Sequence, residues 1–158
     1  MFTKDGIRAL HTWTHERLDL LLRHSAILTP EELVKELPGF GRPSVRDQLA
    51  HIIACEEGWV HRLQDIPFNR RQNAGLTVEA LQQDKQRVMA DTIAYVETLS
   101  EAQLNAGLIE RPREWGGTLR SPAFILHHVI THAFHHKGQV VAMFRLLGRP
   151  APDTDLQD

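Results

Sequence analysis

Apolar residues recur every three or four positions along four long stretches of the chain, which is the spacing of an amphipathic helix. The stretches run from about Gly6 to Ile27, from Ser44 to about Leu63, from Thr77 to Leu99, and from Ser121 to Leu147. Three of them begin at a serine or threonine, which are common helix caps, and the last ends before Gly148 and Pro150. No stretch has a competing strand pattern. Four helices of about 20 residues each predict an all-α protein that folds as a four-helix bundle.

The segments between these helices carry cap and loop signals. Thr29 to Leu33 and Ser100 to Leu104 each combine a hydroxyl cap with acidic residues, which favours one short helical turn. Residues 38–43 predict a loop, and the stretch from Phe68 to Leu76 predicts an exposed connection. Residues 105–117 contain three glycines and a proline, so we expect a loop with a short extended piece around Leu108 and Ile109.

Length and composition are those of an ordinary globular protein. A chain of 158 residues fits one domain, and we expect residues 1–158 to form it. Hydrophobic residues make up 42% and charged residues 24%, and the formal net charge is −2 with no basic run, which argues against nucleic-acid binding.

The compartment follows from similar observations. The single cysteine, Cys55, excludes an intramolecular disulfide, and the N-terminus turns charged within a few residues, unlike a signal peptide. No apolar run approaches the roughly 20 residues that span a bilayer. We therefore expect a cytoplasmic protein that does not associate with membranes.

Histidines are unusually concentrated. The chain has ten, of which five fall between positions 127 and 136. His132 and His136 are four residues apart on the last predicted helix, so their imidazoles project to the same side and can bind one ion. Two further pairs have the same spacing, His128 with His132 and His11 with His15. Spacing alone leaves these three pairs open.

A third ligand has to come from a facing helix, because two imidazoles do not make a tight site. His51 is the strongest candidate. On a helical wheel it lies at the flank of the apolar stripe of the second long helix, and a bundle interface commonly brings such a position near the neighbouring helix.

Two sequence runs resemble the signatures of the DinB-like (damage-inducible) family. The first is Gln48–Trp59, in which a leucine and a histidine are followed by glutamate five and tryptophan eight residues after the histidine. The second is His128–Gln139, which ends in His-Lys-Gly-Gln. The tail Leu147–Asp155 and the region around Trp13 and Leu18 are also similar to the family. The resemblance therefore covers nearly the whole chain.

The resemblance implies a four-helix bundle whose metal ligands are one histidine from the second helix and two from the fourth. Carried over, these are His51, His132 and His136. It also implies one divalent metal ion per chain, with Zn²⁺ or Ni²⁺ expected because imidazole suits borderline metals. Relatives commonly pair, so we expect a homodimer.

Three imidazoles leave at least one coordination position open, which is typical of catalytic sites. We therefore expect a metal-dependent enzyme acting on a small molecule, either a hydrolase or a transferase that uses a low-molecular-weight thiol. The alternative is a non-enzymatic metal-binding protein with a stress or interaction role, for which a fourth protein ligand would be typical.

Other residues near these positions are expected to have supporting or structural roles. Glu56 falls inside the apolar stripe, so we expect it either to pair with a buried donor from another helix or to orient a ligand, with structural hydrogen bonding preferred. Cys55 is expected to be a small buried residue. His11 and His15 are expected to be partly buried or on the surface, and His128 to flank the metal ligands.

Overall fold

Six helices and one short strand pair make up the part of the chain that the structure describes. The computed structural model describes residues 1–69, 75–107, 109–110 and 119–156. The helices are α1 (Lys4–Ser25), α2 (Pro30–Val34), α3 (Val45–Leu63), α4 (Val78–Thr98), α5 (Glu101–Asn105) and α6 (Pro122–Leu146). The strands β1 (Ile109–Glu110) and β2 (Leu119–Arg120) pair antiparallel between α5 and α6.

The four long helices confirm the predicted all-α bundle, and their caps explain where they begin. The side chains of Ser44, Thr77 and Ser121 each accept a hydrogen bond from the backbone three residues later. The short helices α2 and α5 are the two predicted turns, and each begins with a capping box, from Thr29 and Ser100 respectively.

The connections are only partly covered. Ile109 lies in β1, as the predicted extended piece suggests, but Leu108 lies outside the described residues. So do residues 70–74 of the expected connection between α3 and α4, and most of the predicted loop over residues 105–117.

The end of α6 shows why the glycine in the predicted stop signal matters. Gly148 has a φ of 70°, a conformation that costs glycine little and other residues more. This turn lets the Gly148 N–H bond to the Arg145 carbonyl at 3.0 Å and the Arg149 N–H to the Phe144 carbonyl at 2.9 Å. These two bonds satisfy carbonyls that the helix leaves without partners, so the helix ends where the sequence predicts.

The four long helices form a ring. Helix α3 packs against α4 and α6, and α1 packs against the same two helices. Helices α1 and α3 therefore face each other across the centre of the bundle. A side chain that joins them has to cross the core.

Polar residues divide the buried core into two parts. The larger apolar cluster includes Leu18 of α1 and Val88 of α4, and the smaller one includes Ile7 and Val96 of the same helices. Between these clusters lies a set that we call the central polar layer: His11, His15, Glu56 and Thr92, each 1–3% exposed. In the described part of the chain, no helix is long and apolar enough to cross a membrane.

Candidate metal centre

The interface between α3 and α6 brings the three predicted metal ligands together. His51 comes from α3, and His132 and His136 come from successive turns of α6. One ligand nitrogen from each residue can be chosen so that all three lie within 4.8 Å of one another. The ring centroids are 4.4–4.9 Å apart in the three pairs. The predicted grouping of these residues is therefore present.

The chemistry of the three donors fits a divalent ion. A tetrahedral ion with Zn–N bonds of roughly 2.0–2.1 Å holds its ligand atoms about 3.4 Å apart. The three ligand nitrogens lie within 4.8 Å of one another, a spacing compatible with such an ion. Among the described residues the group has three members, which leaves room for a further ligand from solution.

The protonation states also suit metal binding, because only a neutral imidazole has a free lone pair. Burial, together with the nearby His136 and His51, lowers the pKa of His132 to about 3. Burial also lowers the pKa of His136, although a hydrogen bond to Gln139 acts in the opposite direction. Both rings are therefore neutral at physiological pH.

A buried glutamine fixes the orientation of His136. The side-chain oxygen of Gln48 lies 2.6 Å from His136 Nδ1, and that of Gln139 lies 3.1 Å from the same atom. Amide oxygens only accept hydrogen bonds, so Nδ1 carries the proton. The lone pair of the neutral ring is then on Nε2, which is available to a metal. A metal-binding histidine commonly donates its other ring N–H in this way.

The orientation of the Gln48 amide is itself determined by its surroundings. Its nitrogen donates to the backbone carbonyl of Arg42 at 3.0 Å and to the Gln139 side-chain oxygen at 2.7 Å. Both partners are acceptors, so a flipped amide would place oxygen against oxygen. Gln139 in turn bonds through its nitrogen to His135 Nε2 at 3.2 Å. This hydrogen-bond network thus keeps the ring proton of His136 on Nδ1.

His128 lies one turn before the cluster rather than in it. Its ring centroid is 5.7 Å from that of His132 and also 5.7 Å from the Trp59 ring, which it meets edge to face. Cys55 lies on α3 between His51 and Trp59 and is partly buried, not fully buried as expected. These residues continue the interface of α3 and α6 beyond the three imidazoles.

The alternative pair, His11 and His15, belongs to a different cluster. Both residues are almost fully buried, at 2% and 3% exposure, so the expectation of a partly buried or surface location is wrong. Their Nε2 atoms lie 2.7 Å and 2.9 Å from the two carboxylate oxygens of Glu56, and Thr92 donates its hydroxyl to the same carboxylate at 2.7 Å. Glu56 therefore pairs with buried donors from other helices, which is the first of its two expected roles.

Burial and hydrogen bonding act against each other in this cluster. Burial alone raises the pKa of Glu56, but His15 and the hydrogen bonds from His11 and His15 outweigh it and hold that pKa well below its usual range. Burial lowers the pKa of His15, and the attraction of Glu56 offsets only part of that change. The carboxylate is ionised and the His15 imidazole is neutral.

Two residues of the metal centre escape prediction from spacing. Gln48 and Gln139 contribute no ligand, and nothing in a one-helix pattern joins a residue of α3 to one of α6. One signal is available for Gln48. It precedes His51 by three positions at the edge of the apolar stripe of α3. Because it is 0% exposed, its amide needs hydrogen-bond partners in the core.

Comparisons with known proteins agree with this architecture. The family model described as the DinB family matches residues 1–158. The chain is 31% identical over 137 residues to the uncharacterized protein YizA of Bacillus subtilis (strain 168), which covers 86% of this chain and 77% of that protein. The crystal structure of a DinB family member from Shewanella denitrificans has the same fold, with a TM-score of 0.62 and 19% identity over 99% of this chain and 89% of that one. The chain belongs to the DinB family.

Proposed function

We propose that this protein is a metal-dependent enzyme in which His51, His132 and His136 hold one Zn²⁺ or Ni²⁺ ion and a small molecule reacts beside it. The observation that carries the proposal is the grouping of three imidazoles from two helices within 4.8 Å, of which His132 and His136 are neutral at physiological pH. Three partly buried ligands with an accessible side are typical of a catalytic centre rather than a closed structural site. When bound, such an ion supplies Lewis acidity and an open coordination position.

The protein's own groups prepare this site before a metal or substrate arrives. Gln48 and Gln139 accept hydrogen bonds from His136 Nδ1, which leaves the lone pair of Nε2 for an ion. His51 provides the only ligand from α3, so an ion bound to all three imidazoles would join α6 to the neighbouring helix α3. A site held this way by two packed helices positions a substrate better than one held by loops.

The residues beside the imidazoles favour an organic substrate. Trp59 packs on His128, and together they offer an aromatic surface one turn away from His132. A low-molecular-weight thiol fits this setting, because its sulfur suits a borderline ion while the rest of the molecule lies against the aromatic surface. We therefore favour a thiol-dependent transferase, with a hydrolase as the second reaction type.

The test combines metal content with a small activity screen. The purified protein is stripped with a chelator, reloaded with Zn²⁺ or Ni²⁺, and assayed with glutathione or cysteine against chlorodinitrobenzene, and with nitrophenyl acetate for hydrolysis. We expect a rate that needs the metal and that His136→Ala removes, while His61→Ala leaves it unchanged. A rate that is the same with and without metal would refute the proposal. Tight metal binding without any turnover would instead favour the non-enzymatic alternative.

A further inference from the structure

The central polar layer contains a second set of metal-binding side chains. His11, His15 and Glu56 offer two imidazoles and one carboxylate whose ligand atoms all lie within 4.8 Å of one another. None of these residues belongs to the metal centre between α3 and α6. We propose that they form a second site, for a divalent transition-metal ion, in the middle of the bundle.

The donor set is the first argument. Two histidines and one glutamate bind zinc in many catalytic sites, and bundles often carry metal sites built from facing helices in the core. The histidines are four residues apart on α1, and Glu56 reaches them from α3 across the centre of the bundle. The arrangement repeats the logic of the first site, with a His-x-x-x-His pair on one helix and a single ligand from α3.

The charge state is the second argument. Glu56 is ionised and His15 is neutral, so the cluster carries an anion, and an ion bound there would take the place of the ring protons that are now donated to the carboxylate. The positive charge of Lys85 also acts on His15, but the Lys85 ammonium group is 2.8 Å from the Asp19 carboxylate. An ion of charge +2 would therefore meet a net attractive environment.

The burial of the layer determines how the test has to be done. With exposures of 2–3% the ligands are not reachable from solvent, so an ion enters during folding or through transient opening of the bundle. The full chain is therefore unfolded in denaturant with chelator, refolded with Zn²⁺, and desalted. Its metal-to-protein ratio is measured by elemental analysis, and helicity by circular dichroism.

We expect the refolded wild type to hold about two ions per chain and Glu56→Gln about one, because glutamine keeps the size of the side chain but removes the charge. His15→Gln repeats the test at another ligand, and His24→Gln, also on α1 but outside the layer, serves as the matched control. The double variant His132→Ala/His136→Ala removes the first site and is expected to retain one ion in the layer.

The outcomes separate the two sites. The second site would be overturned if the double variant folds as a helical protein but binds no ion. It would also be overturned if Glu56→Gln and His15→Gln hold as many ions per chain as the wild type. Loss of the only ion in Glu56→Gln, with full retention in the double variant, would support the second site and refute the first.

Discussion

Gln48 Oε1 on α3 lies 2.6 Å from His136 Nδ1 on α6, and this hydrogen bond joins residues 88 positions apart in the chain. A residue that touches no metal thereby determines which nitrogen of a ligand is available. Replacing it tests orientation separately from ligand number. We expect Gln48→Leu to weaken Zn²⁺ affinity about 10-fold, at the low end of such effects, because the Gln139 oxygen still accepts from Nδ1.

This change is measured by competition with a coloured chelator. Gln64→Leu, an exposed glutamine at the end of the same helix, is the matched control. If Gln48→Leu binds Zn²⁺ as tightly as the control, the hydrogen bond does not tune the site.

The alternative ligand pairs lead to a second prediction. His51→Ala, His132→Ala and His136→Ala should each lose most of their affinity for Zn²⁺ loaded onto the folded protein, because each leaves only two imidazoles. His128→Ala should retain it, since its ring is one turn outside the cluster. Metal-to-protein ratios after desalting decide between them. Loss of metal in His128→Ala with retention in His136→Ala would assign the site to the other pair.

Replacing one residue of the central polar layer should lower the free energy of unfolding more than replacing three of its residues together. In the presence of chelator, Glu56→Leu leaves the Nε2–H groups of His11 and His15 without acceptors. We expect the free energy of unfolding to fall by roughly 2–6 kcal/mol, from about 1–3 kcal/mol for each unsatisfied donor. Replacing all three residues with leucine or methionine should recover most of that loss, because an apolar core of similar volume then fills the space. Urea unfolding measures both. Equal destabilisation in the two variants would contradict this account.

Acid should destabilise the metal-free protein through His132. The unfolded side chain takes up a proton near its ordinary pKa of 6.5, whereas the folded one does so only near a pKa of about 3. Between these values the unfolded state binds more protons, so stability falls as the pH is lowered. We expect a lower urea midpoint at pH 5 than at pH 7.5, and a smaller difference for His132→Gln. An identical pH dependence in both proteins would show that His132 does not contribute.

The homodimer expected from the family resemblance is checked by light scattering at micromolar concentration. We expect a mass of about twice 18.0 kDa. A monodisperse monomer would contradict it.

Local patterns predicted the elements of this fold well. The hydroxyl caps at Thr29 and Ser100 and the stop at Gly148 act within a few residues of the chain, so their effects can be deduced from sequence. The pair His132 and His136 is equally local, because helix geometry alone places the two rings together. The helical wheel made His51 the strongest candidate for a third ligand, and the family resemblance selected it. Packing between distant helices decides what this residue faces, and a one-helix pattern does not show that packing.

The depth of His11 and His15 was not predictable for the same reason. Their helix shows a histidine pair on its inward side, which is compatible with a rim position or with the core. The pair lies in the core because Glu56, on the helix diagonally opposite, accepts hydrogen bonds from both rings, and Thr92 on a third helix donates to the same carboxylate. The sequence shows each polar residue as an exception within its own stripe, but not that the exceptions meet.

The contact of His11 and His15 with Glu56 also sets the axial alignment of the bundle. Apolar stripes tolerate sliding, because one leucine replaces another when a helix shifts by a turn of about 5.4 Å. A shift of α1 by that distance would leave only one of the two imidazoles beside Glu56, because His11 and His15 are themselves one turn apart. Ile7 or Asp19 would take the place of the other ring, so one carboxylate oxygen would lose its N–H donor. Such a misaligned bundle is heavily penalised, as polar residues in coiled-coil seams penalise the wrong register. The central polar layer thus favours the native axial alignment of the helices over an alignment shifted by one turn.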